Sequence, residues 1–194
     1  MTSNECIMLL IAGMPGAGKS VFVNAVSDLV DKIYTLGDIV RREAIKRNLS
    51  PDDATLGMIG IELRKKFGKG ALAKILCQRI EHELSGIILV DGIRSLHEVN
   101  EFRKRLGKDN VFIIGIHASP RTRFRRLYLR KRKDDPEKWD EFIKRDMREL
   151  GYGIGDVIAL SDYMIINEDI ELHEFKEQAK KLVKRIIDES RSRS

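Results

Sequence analysis

A glycine-rich stretch near the N-terminus carries the residue types that bind phosphate. Residues 13–20 satisfy the pattern G-x-x-x-x-G-K-[ST] at every fixed position. Glycines let such a loop curl so that backbone N–H groups point at an anion, and the helix that follows adds the positive end of its dipole. The terminal lysine and serine suit contact with the β- and γ-phosphates and with Mg²⁺. The predicted site for a nucleoside triphosphate comprises Gly13, Met14, Pro15, Gly16, Ala17, Gly18, Lys19 and Ser20.

A carboxylate and an arginine follow a second apolar run. Asp91 ends the run Ile87–Asp91, and Arg94 comes three residues later. A carboxylate at the C-terminal end of a parallel strand lies in the crevice where open α/β sheets bind ligands, so Asp91 is predicted to hold Mg²⁺ together with Ser20. Arg94 would clamp a phosphate bidentately. The alternatives are that Asp91 caps the next turn and that Arg94 forms a surface ion pair.

The basic charge of the chain is concentrated in one segment. Six arginines, two lysines and no acid occur between Arg121 and Lys133, which leaves a net charge of −2 on the rest of the protein. Arg123, Arg126 and Arg130 fall on one face of a helix. Guanidiniums aimed at one point suit the charge on a transferring phosphoryl group, so catalytic roles are predicted for Arg126 and Arg130. A nucleic-acid-binding arm and a solvated basic face are the alternatives.

These groups need a scaffold that brings them to one edge of a sheet. Apolar runs of four to six residues predict central strands of a parallel sheet at Ile7–Ala12, Ile87–Asp91, Val111–Ile116 and Tyr163–Ile166. A weaker strand is predicted at Lys32–Thr35. Helical patterns fill the intervals between these runs. The sequence therefore predicts an α/β fold of three layers, α/β/α, around a five-stranded parallel sheet.

The predicted boundaries describe a single domain, residues 1–190, in which an insertion and a lid interrupt the core. The core would comprise 6–37, 87–120 and 156–190. A helical acceptor-binding insertion is expected at about 38–86, with a break at Gly68–Gly70, and a short lid at about 121–155. Within the lid, Asp135 would cap a helix that begins at Pro136. The last predicted helix spans Glu171–Glu189, and 191–194 would form a basic tail.

Composition limits the class of protein. A chain of 194 residues with 42% hydrophobic residues can bury one substantial core. No apolar run reaches the length of a membrane span, and no secretory pattern opens the chain. The two cysteines, Cys6 and Cys77, stand in apolar surroundings and are interpreted as reduced, buried thiols. We therefore expect a cytoplasmic protein without a membrane partner.

Several stretches resemble the adenylate kinase and nucleoside monophosphate kinase superfamily. They are residues 13–20, Leu36–Arg41, Asp91–Arg94 and the arginine-rich lid. This resemblance implies the P-loop NTPase fold, ATP as the phosphoryl donor with Mg²⁺, and contact between Arg41 and the phosphate of an acceptor.

The C-terminal end of the chain resembles a second group of kinases. The segment Ser161–Asn167 is similar to the last strand and asparagine turn of dephospho-coenzyme A kinases, which implies an ATP-binding role for Asn167. As a whole, residues 6–190 resemble archaeal P-loop proteins described as adenylate-kinase-like or dephospho-coenzyme-A-kinase-like.

We therefore expect an ATP- and Mg²⁺-dependent phosphotransferase that moves the γ-phosphoryl group to a small phosphorylated acceptor, as adenylate kinases do. Arg41 and Arg94 would hold the acceptor, and Asp38 or Asp91 would orient its attacking oxygen. Phosphorylation of a ribose hydroxyl, as in dephospho-coenzyme A kinases, is the alternative acceptor chemistry. A nucleotide-dependent ATPase or switch that acts on a protein or RNA partner is the alternative function.

Overall fold

The computed structural model describes residues 6–132 and 135–192. In this part of the chain, five strands form one parallel sheet in the order β2-β3-β1-β4-β5. Their bounds are β1 Cys6–Ala12, β2 Lys32–Thr35, β3 Gly86–Ile93, β4 Val111–His117 and β5 Tyr163–Ile166. Each predicted strand is present, and the ends differ from prediction by two residues at most.

Helices occupy the intervals between the strands and cover the sheet. Their bounds are α1 Lys19–Ala25, α2 Leu36–Lys46, α3 Asp53–Phe67, α4 Ala71–Arg79, α5 Leu96–Leu106, α6 Pro120–Arg130, α7 Trp139–Gly151, α8 Ile154–Ala159 and α9 Leu172–Arg191. Ser95 and Ser119 cap α5 and α6, because each side chain accepts a hydrogen bond from an N–H in the first turn.

Two apolar cores lie on opposite faces of the sheet. Along β1, Met8 and Leu10 belong to one core, whereas Leu9 and Ile11 belong to the other. The first core contains residues of α2, α3, α4, α5 and α8, and the second contains residues of α1 and α9. Strands buried on both faces require continuous apolar runs, which explains the uniform composition of β1. The three-layer α/β/α architecture is confirmed.

Helix α7 begins later than predicted. The predicted start at Pro136 with an Asp135 cap is wrong, because the helix begins at Trp139. The Asp135 carboxylate instead accepts hydrogen bonds from the Arg130 side chain and from the Arg132 N–H. These bonds from the preceding residues occupy the carboxylate, which therefore does not cap the helix. Residues 133 and 134 of the predicted lid lie outside the described part of the chain.

The C-terminal helix is longer than predicted. α9 extends to Arg191 rather than Glu189, so the first residue of the predicted tail is helical. Beyond the predicted end, Ser190 is buried, as Ile186 and Ile187 are in the preceding turn. Residues 193 and 194 of the predicted tail lie outside the described residues.

The two cysteines are buried free thiols, as predicted. Burial raises the pKa of Cys6, and it raises the pKa of Cys77 to about 11, so both remain protonated at neutral pH. Among the described residues, no helix has both the length and the apolar character that a bilayer crossing requires.

Candidate active site

The glycine-rich segment forms the connection between the central strand β1 and helix α1. β1 ends at Ala12 and α1 begins at Lys19. A Cβ atom at Gly13 would lie 2.6 Å from the carbonyl oxygen of Ile116 in β4, so no larger residue fits there. Gly18 has a φ of 108°, a left-handed conformation that side chains disfavour. The path of the loop therefore requires glycine at these two positions.

The side chains of the loop divide between the core and a large cavity. Met14 and Ala17 are buried, so they can contribute to a site only through their main chains. Pro15, Gly16, Gly18, Lys19 and Ser20 line the cavity, whose volume is about 470 Å³.

The ammonium group of Lys19 lies folded back over its own loop. Its Nζ donates hydrogen bonds to the carbonyl oxygens of Gly13 at 2.6 Å and Met14 at 3.3 Å. Burial lowers the pKa of Lys19, and the Asp91 carboxylate opposes part of that shift. Since both acceptors are neutral carbonyl groups, an ionised phosphate oxygen would be a stronger partner for this ammonium group.

Asp91 lies beside the loop because of the register of three strands. It is paired with Ile11 in β1 and with Thr35 in β2, near the C-terminal ends of both strands. Its Oδ1 atom is buried, and no hydrogen-bond partner for it occurs among the described residues. Burial raises the pKa of Asp91, whereas Lys19 opposes the shift. Asp91 and the exposed Ser20 line the same cavity.

A divalent cation fits this arrangement when a ligand contributes further donors. The part of the chain that the structure describes holds no cluster of three or more His, Cys, Asp or Glu side chains suited to a metal ion. Mg²⁺ is usually bound through one or two carboxylates together with substrate phosphates and water. The unpartnered oxygen of Asp91 and the hydroxyl of Ser20 supply this limited set of donors. These residues therefore fit a Mg²⁺ ion that arrives with a nucleotide.

Replacing Asp91 with Asn should separate metal binding from stability. A raised pKa means that the folded state binds this proton more tightly than the unfolded chain does, so the contribution of Asp91 to stability is lost as pH rises through the raised pKa. We expect Asp91→Asn to increase the free energy of unfolding at pH 7 and to leave it nearly unchanged at about pH 4. The variant should also lose the gain in ATP affinity that Mg²⁺ provides.

Urea unfolding at the two pH values and calorimetric titration with the non-hydrolysable analogue AMP-PNP, with and without Mg²⁺, measure the two effects of the Asp91 substitution. Asp109→Asn is the matched control, because Asp109 lies in a short turn before β4 and outside the cavity lining. An Asp91 variant whose binding of AMP-PNP still responds fully to Mg²⁺ would contradict the assignment.

The cavity above the loop is strongly cationic. Asp91 is the one acidic residue in its lining as the structure describes it, and Lys19 adds a positive charge. The arginines of the lining come from α2, α6, α7 and the segments after β3 and α6. They are Arg41, Arg94, Arg126, Arg130, Arg132 and Arg145. Like charges at this density favour a bound polyanion.

Arg126 connects the cavity to the loop through Asn167. One guanidinium nitrogen of Arg126 donates to Asn167 Oδ1 at 3.2 Å, and the amide nitrogen of Asn167 donates to the Ala17 carbonyl at 2.9 Å. The other terminal nitrogen of Arg126 is buried without a hydrogen-bond partner among the described residues, and burial lowers the pKa of this guanidinium. Asn167 is buried and lies behind the loop, outside the cavity lining. Its contact with ATP therefore stays a prediction, whereas its contact with the loop is direct.

Arg130 is held at the cavity by Asp135. Its Nε donates to Asp135 at 2.9 Å, and its Nη2 donates at 2.5 Å. Arg145 lies 3.7 Å from the same carboxylate. Burial opposes ionisation of Asp135, but the hydrogen bonds from Arg130 and Arg132 outweigh it and hold the pKa of Asp135 below its usual range. Asp135 therefore brings guanidiniums of α6 and α7 together at one side of the cavity.

Arg123 does not reach the cavity, so its predicted alignment with Arg126 and Arg130 toward a phosphoryl group is wrong. Its side chain is buried and forms a bidentate ion pair with Asp146 in α7. It also donates to the main-chain oxygens of Ala118 and Pro15. Arg123 therefore links α6 to α7 and to residues 13–20, the phosphate loop.

The predicted acceptor residues lie at the other side of the cavity. Arg41 pairs with Asp38 at 2.9 Å, and both side chains are about half exposed. Arg94 pairs with the buried Glu149 at 2.9 Å. Arg41 and Arg94 line the cavity, whereas Asp38 does not. The structure thus brings Lys19 and these two arginines to one space and makes Asp38 a partner of Arg41.

Sequence reasoning missed the acids that hold the arginines. Asp135, Asp146 and Glu149 each receive at least one guanidinium. The available signal was the alternation of charge in Arg145-Asp146 and Arg148-Glu149, which is also typical of an exposed helix. The hydrophobic positions of α7 show that these acids are buried rather than exposed, because Phe142 is buried on the same face of the helix as Asp146 and Glu149.

The sheet order and the glycine-rich loop between β1 and α1 define an α/β/α domain of the P-loop type. The family model for the AAA domain matches residues 12–143. The chain belongs to the UPF0200 family of proteins. A UPF0200 protein of Hyperthermus butylicus is 44% identical over 186 residues, which cover 96% of this chain and 98% of that protein. A UPF0200 protein of Thermococcus kodakarensis is 40% identical over 183 residues, with coverage of 93% and 98%.

Solved structures share the fold at much lower sequence identity. Shikimate kinase from Bacteroides thetaiotaomicron is 14% identical with a TM-score of 0.58, covering 92% of this chain and 98% of that one. TT1252 from Thermus thermophilus is 14% identical with a TM-score of 0.63, covering 92% and 96%. A gluconokinase from Sinorhizobium meliloti is 12% identical with a TM-score of 0.57, covering 99% of each chain. At these identities the likeness establishes the fold alone.

Proposed function

We propose that the protein is a phosphotransferase that moves the γ-phosphoryl group of ATP to a small phosphorylated acceptor. The observation that carries the proposal is the convergence of the phosphate loop, a buried unpartnered carboxylate oxygen and six arginines on one cavity. A site that only binds a nucleotide needs the loop, but it does not need arginines on the opposite side of the cavity. The additional arginines on the far side of the cavity suit a second anion.

The donor half of the site holds the triphosphate. Backbone N–H groups of the loop bind its oxygens, although Pro15 has none to offer. The Lys19 ammonium exchanges the Gly13 and Met14 carbonyl oxygens for the β- and γ-phosphates. Ser20 and Asp91 would hold Mg²⁺, which would supply positive charge against the phosphates. Arg126 offers its unpartnered nitrogen to the transferring group, and Arg130 excludes water beside it.

The acceptor half of the site lies at Arg41 and Arg94. The Asp38–Arg41 ion pair orients one guanidinium, and the Glu149–Arg94 ion pair orients the other. A phosphate acceptor is already ionised at neutral pH and needs no base for its attack. A hydroxyl acceptor would require one, and Asp91 is the carboxylate that lies in the cavity. Holding donor and acceptor in one water-poor space is the main source of rate in this type of transfer.

Mass spectrometry of reaction products tests the proposal. We expect the purified protein with Mg²⁺ and ATP to form ADP and an acceptor that is heavier by one phosphoryl group, from a panel of phosphorylated and hydroxyl-bearing compounds. Reactions without an acceptor measure hydrolysis by water. ATP consumption that no small molecule alters, but that a protein or an RNA stimulates, would contradict a small acceptor and favour a nucleotide-dependent switch.

A further inference from the structure

A second and smaller cavity opens from the acceptor side of the first. Its volume is about 100 Å³, and it shares Arg41, Arg94 and Arg145 with the larger cavity. Its far wall is formed by Leu56, Gly57, Gly60 and Arg64 of α3, with Tyr152 after the end of α7. A molecule bound at Arg41 and Arg94 would therefore extend into this space.

The smaller cavity is built around cations with buried counter-charges. Arg64 pairs with the fully buried Glu98 at 3.0 Å, and Arg94 pairs with Glu149. The Nε atom of Arg64 is buried and has no hydrogen-bond partner among the described residues. The Nη2 atom of Arg64 donates to Glu98, and its Nη1 atom donates to the Gly60 carbonyl oxygen at 3.2 Å. Because a guanidinium has five N–H groups, Arg64 retains capacity for an anionic group in the cavity.

The aromatic ring in the lining of the smaller cavity, that of Tyr152, already contacts two arginines. The guanidinium carbon of Arg64 lies 4.6 Å from the centroid of the Tyr152 ring, and that of Arg94 lies 5.8 Å from it. Both distances fall within the range of cation–π contacts. The ring therefore helps to position the two arginines, and stacking of a nucleobase on it would displace them.

At Gly57 and Gly60, the wall formed by α3 exposes helix backbone to the cavity. Glycine in the interior of a helix destabilises it relative to alanine, yet Gly57 and Gly60 both face this cavity. A Cβ atom at Gly57 would meet no atom within 4 Å, so open space lies against the backbone at this position. The cavity is also small, since sites for drug-sized ligands measure roughly 300–1,000 Å³. A small molecule fits between α3 and Tyr152, whereas a purine ring on a ribose does not.

We infer that the phosphoryl acceptor is a compact organic anion with a second charged group, and not a nucleoside monophosphate. Its reacting group lies at Arg41 and Arg94, facing the phosphate loop. The remainder of the molecule lies on α3 at Gly57, and its second anionic group binds Arg64. This inference rests on the proposed function and names the class of its acceptor.

Binding to the protein with its phosphate loop occupied tests the acceptor class. The protein is first saturated with Mg²⁺ and AMP-PNP, and is then titrated calorimetrically with 3-phosphoglycerate, glycerol 3-phosphate, AMP and CMP. We expect 3-phosphoglycerate, which carries two anionic groups, to bind at least about tenfold more tightly than either nucleotide. Arg64→Met should remove the advantage of 3-phosphoglycerate over glycerol 3-phosphate.

Filling the space at Gly57 gives a second readout. Gly57→Leu should weaken 3-phosphoglycerate about tenfold or more, while the affinity for Mg²⁺ and AMP-PNP stays the same. Leucine favours the helical conformation over glycine, so the melting temperature should not fall. Met58→Leu is the matched control, because Met58 is exposed on the same helix and lies outside the cavity lining.

Three results would overturn the inference. They are tighter binding of AMP or CMP than of the compact anions, no binding of any compact anion to protein loaded with AMP-PNP, and unchanged binding in Gly57→Leu. Failure of AMP-PNP itself to bind is a distinct result. It would contradict the proposed function and with it the basis for this acceptor site.

Discussion

Replacing Lys19 with Ala should reduce phosphoryl transfer by at least about a hundredfold, the effect of removing one preorganised charged donor from a site of this type. Among the described residues, the ammonium group of Lys19 donates hydrogen bonds to two main-chain oxygens, those of Gly13 and Met14. Burial lowers the pKa of Lys19, so keeping its ammonium group charged costs free energy in the folded protein when no ligand is bound. We therefore expect the variant to fold with equal or greater thermal stability. Initial rates of ADP formation and thermal unfolding of the same samples measure the two quantities.

The matched control for Lys19 is Lys46→Ala, because Lys46 is an exposed lysine in the last turn of α2 and lies outside the cavity lining. Its removal should leave turnover and nucleotide affinity unchanged. Turnover of Lys19→Ala within a factor of about three of the unmodified protein would exclude direct action of this lysine on the phosphates. Loss of activity together with unfolding would instead assign Lys19 to the integrity of the loop.

The strands and the phosphate loop are the parts of this protein that the sequence predicts most fully. Strand β1 is continuous and apolar because both of its faces are buried, and β2 and β5 are found at the predicted residues. The loop is predictable because its glycines meet local steric demands, such as the left-handed backbone at Gly18. These signals depend on residues close together in the chain.

The arginines show where prediction from sequence ends. Arg123 and Arg126 lie on one face of α6, and the sequence treats them alike. The structure buries Arg123 against Asp146, which is 23 residues further along the chain, and directs Arg126 to the cavity. Periodicity identifies a shared helix face, but only the packing of α7 determines which guanidinium receives a carboxylate.

Pairing with arginines also overrides the capping signal at Asp135. The pair Asp135-Pro136 is typical of a helix start, yet the carboxylate is used by Arg130 and Arg145. The helix then begins where the aromatic side chains pack, since the Trp139 ring lies 5.3 Å from Phe124 of α6. A capping preference contributes about 1 kcal/mol, which a buried, multiply bonded carboxylate exceeds.

Replacing Asp146 with Ala should destabilise the protein by about 3–5 kcal/mol, because the substitution leaves the buried Arg123 without its carboxylate partner. The two main-chain oxygens that also accept from Arg123 cannot neutralise its charge. Urea unfolding measures the loss. Asp28→Ala removes the exposed ion pair with Lys180 and is the control, with an expected change below about 1 kcal/mol. An Asp146 effect as small as that of Asp28 would show that the pair contributes no net stability.

The double variant Arg123→Met with Asp146→Leu separates stability from function. Apolar side chains of similar volume can replace a buried ion pair with little loss, so we expect most of the unfolding free energy to return. The Pro15 carbonyl would still lack the hydrogen bond that Arg123 donates at 3.2 Å, and the phosphate loop would lose its fastening to α6. The double variant should therefore be stable but bind Mg²⁺ and AMP-PNP more weakly than the unmodified protein. Full recovery of both properties would show that Arg123 acts on the fold alone, whereas recovery of stability without affinity would assign it to the positioning of the loop.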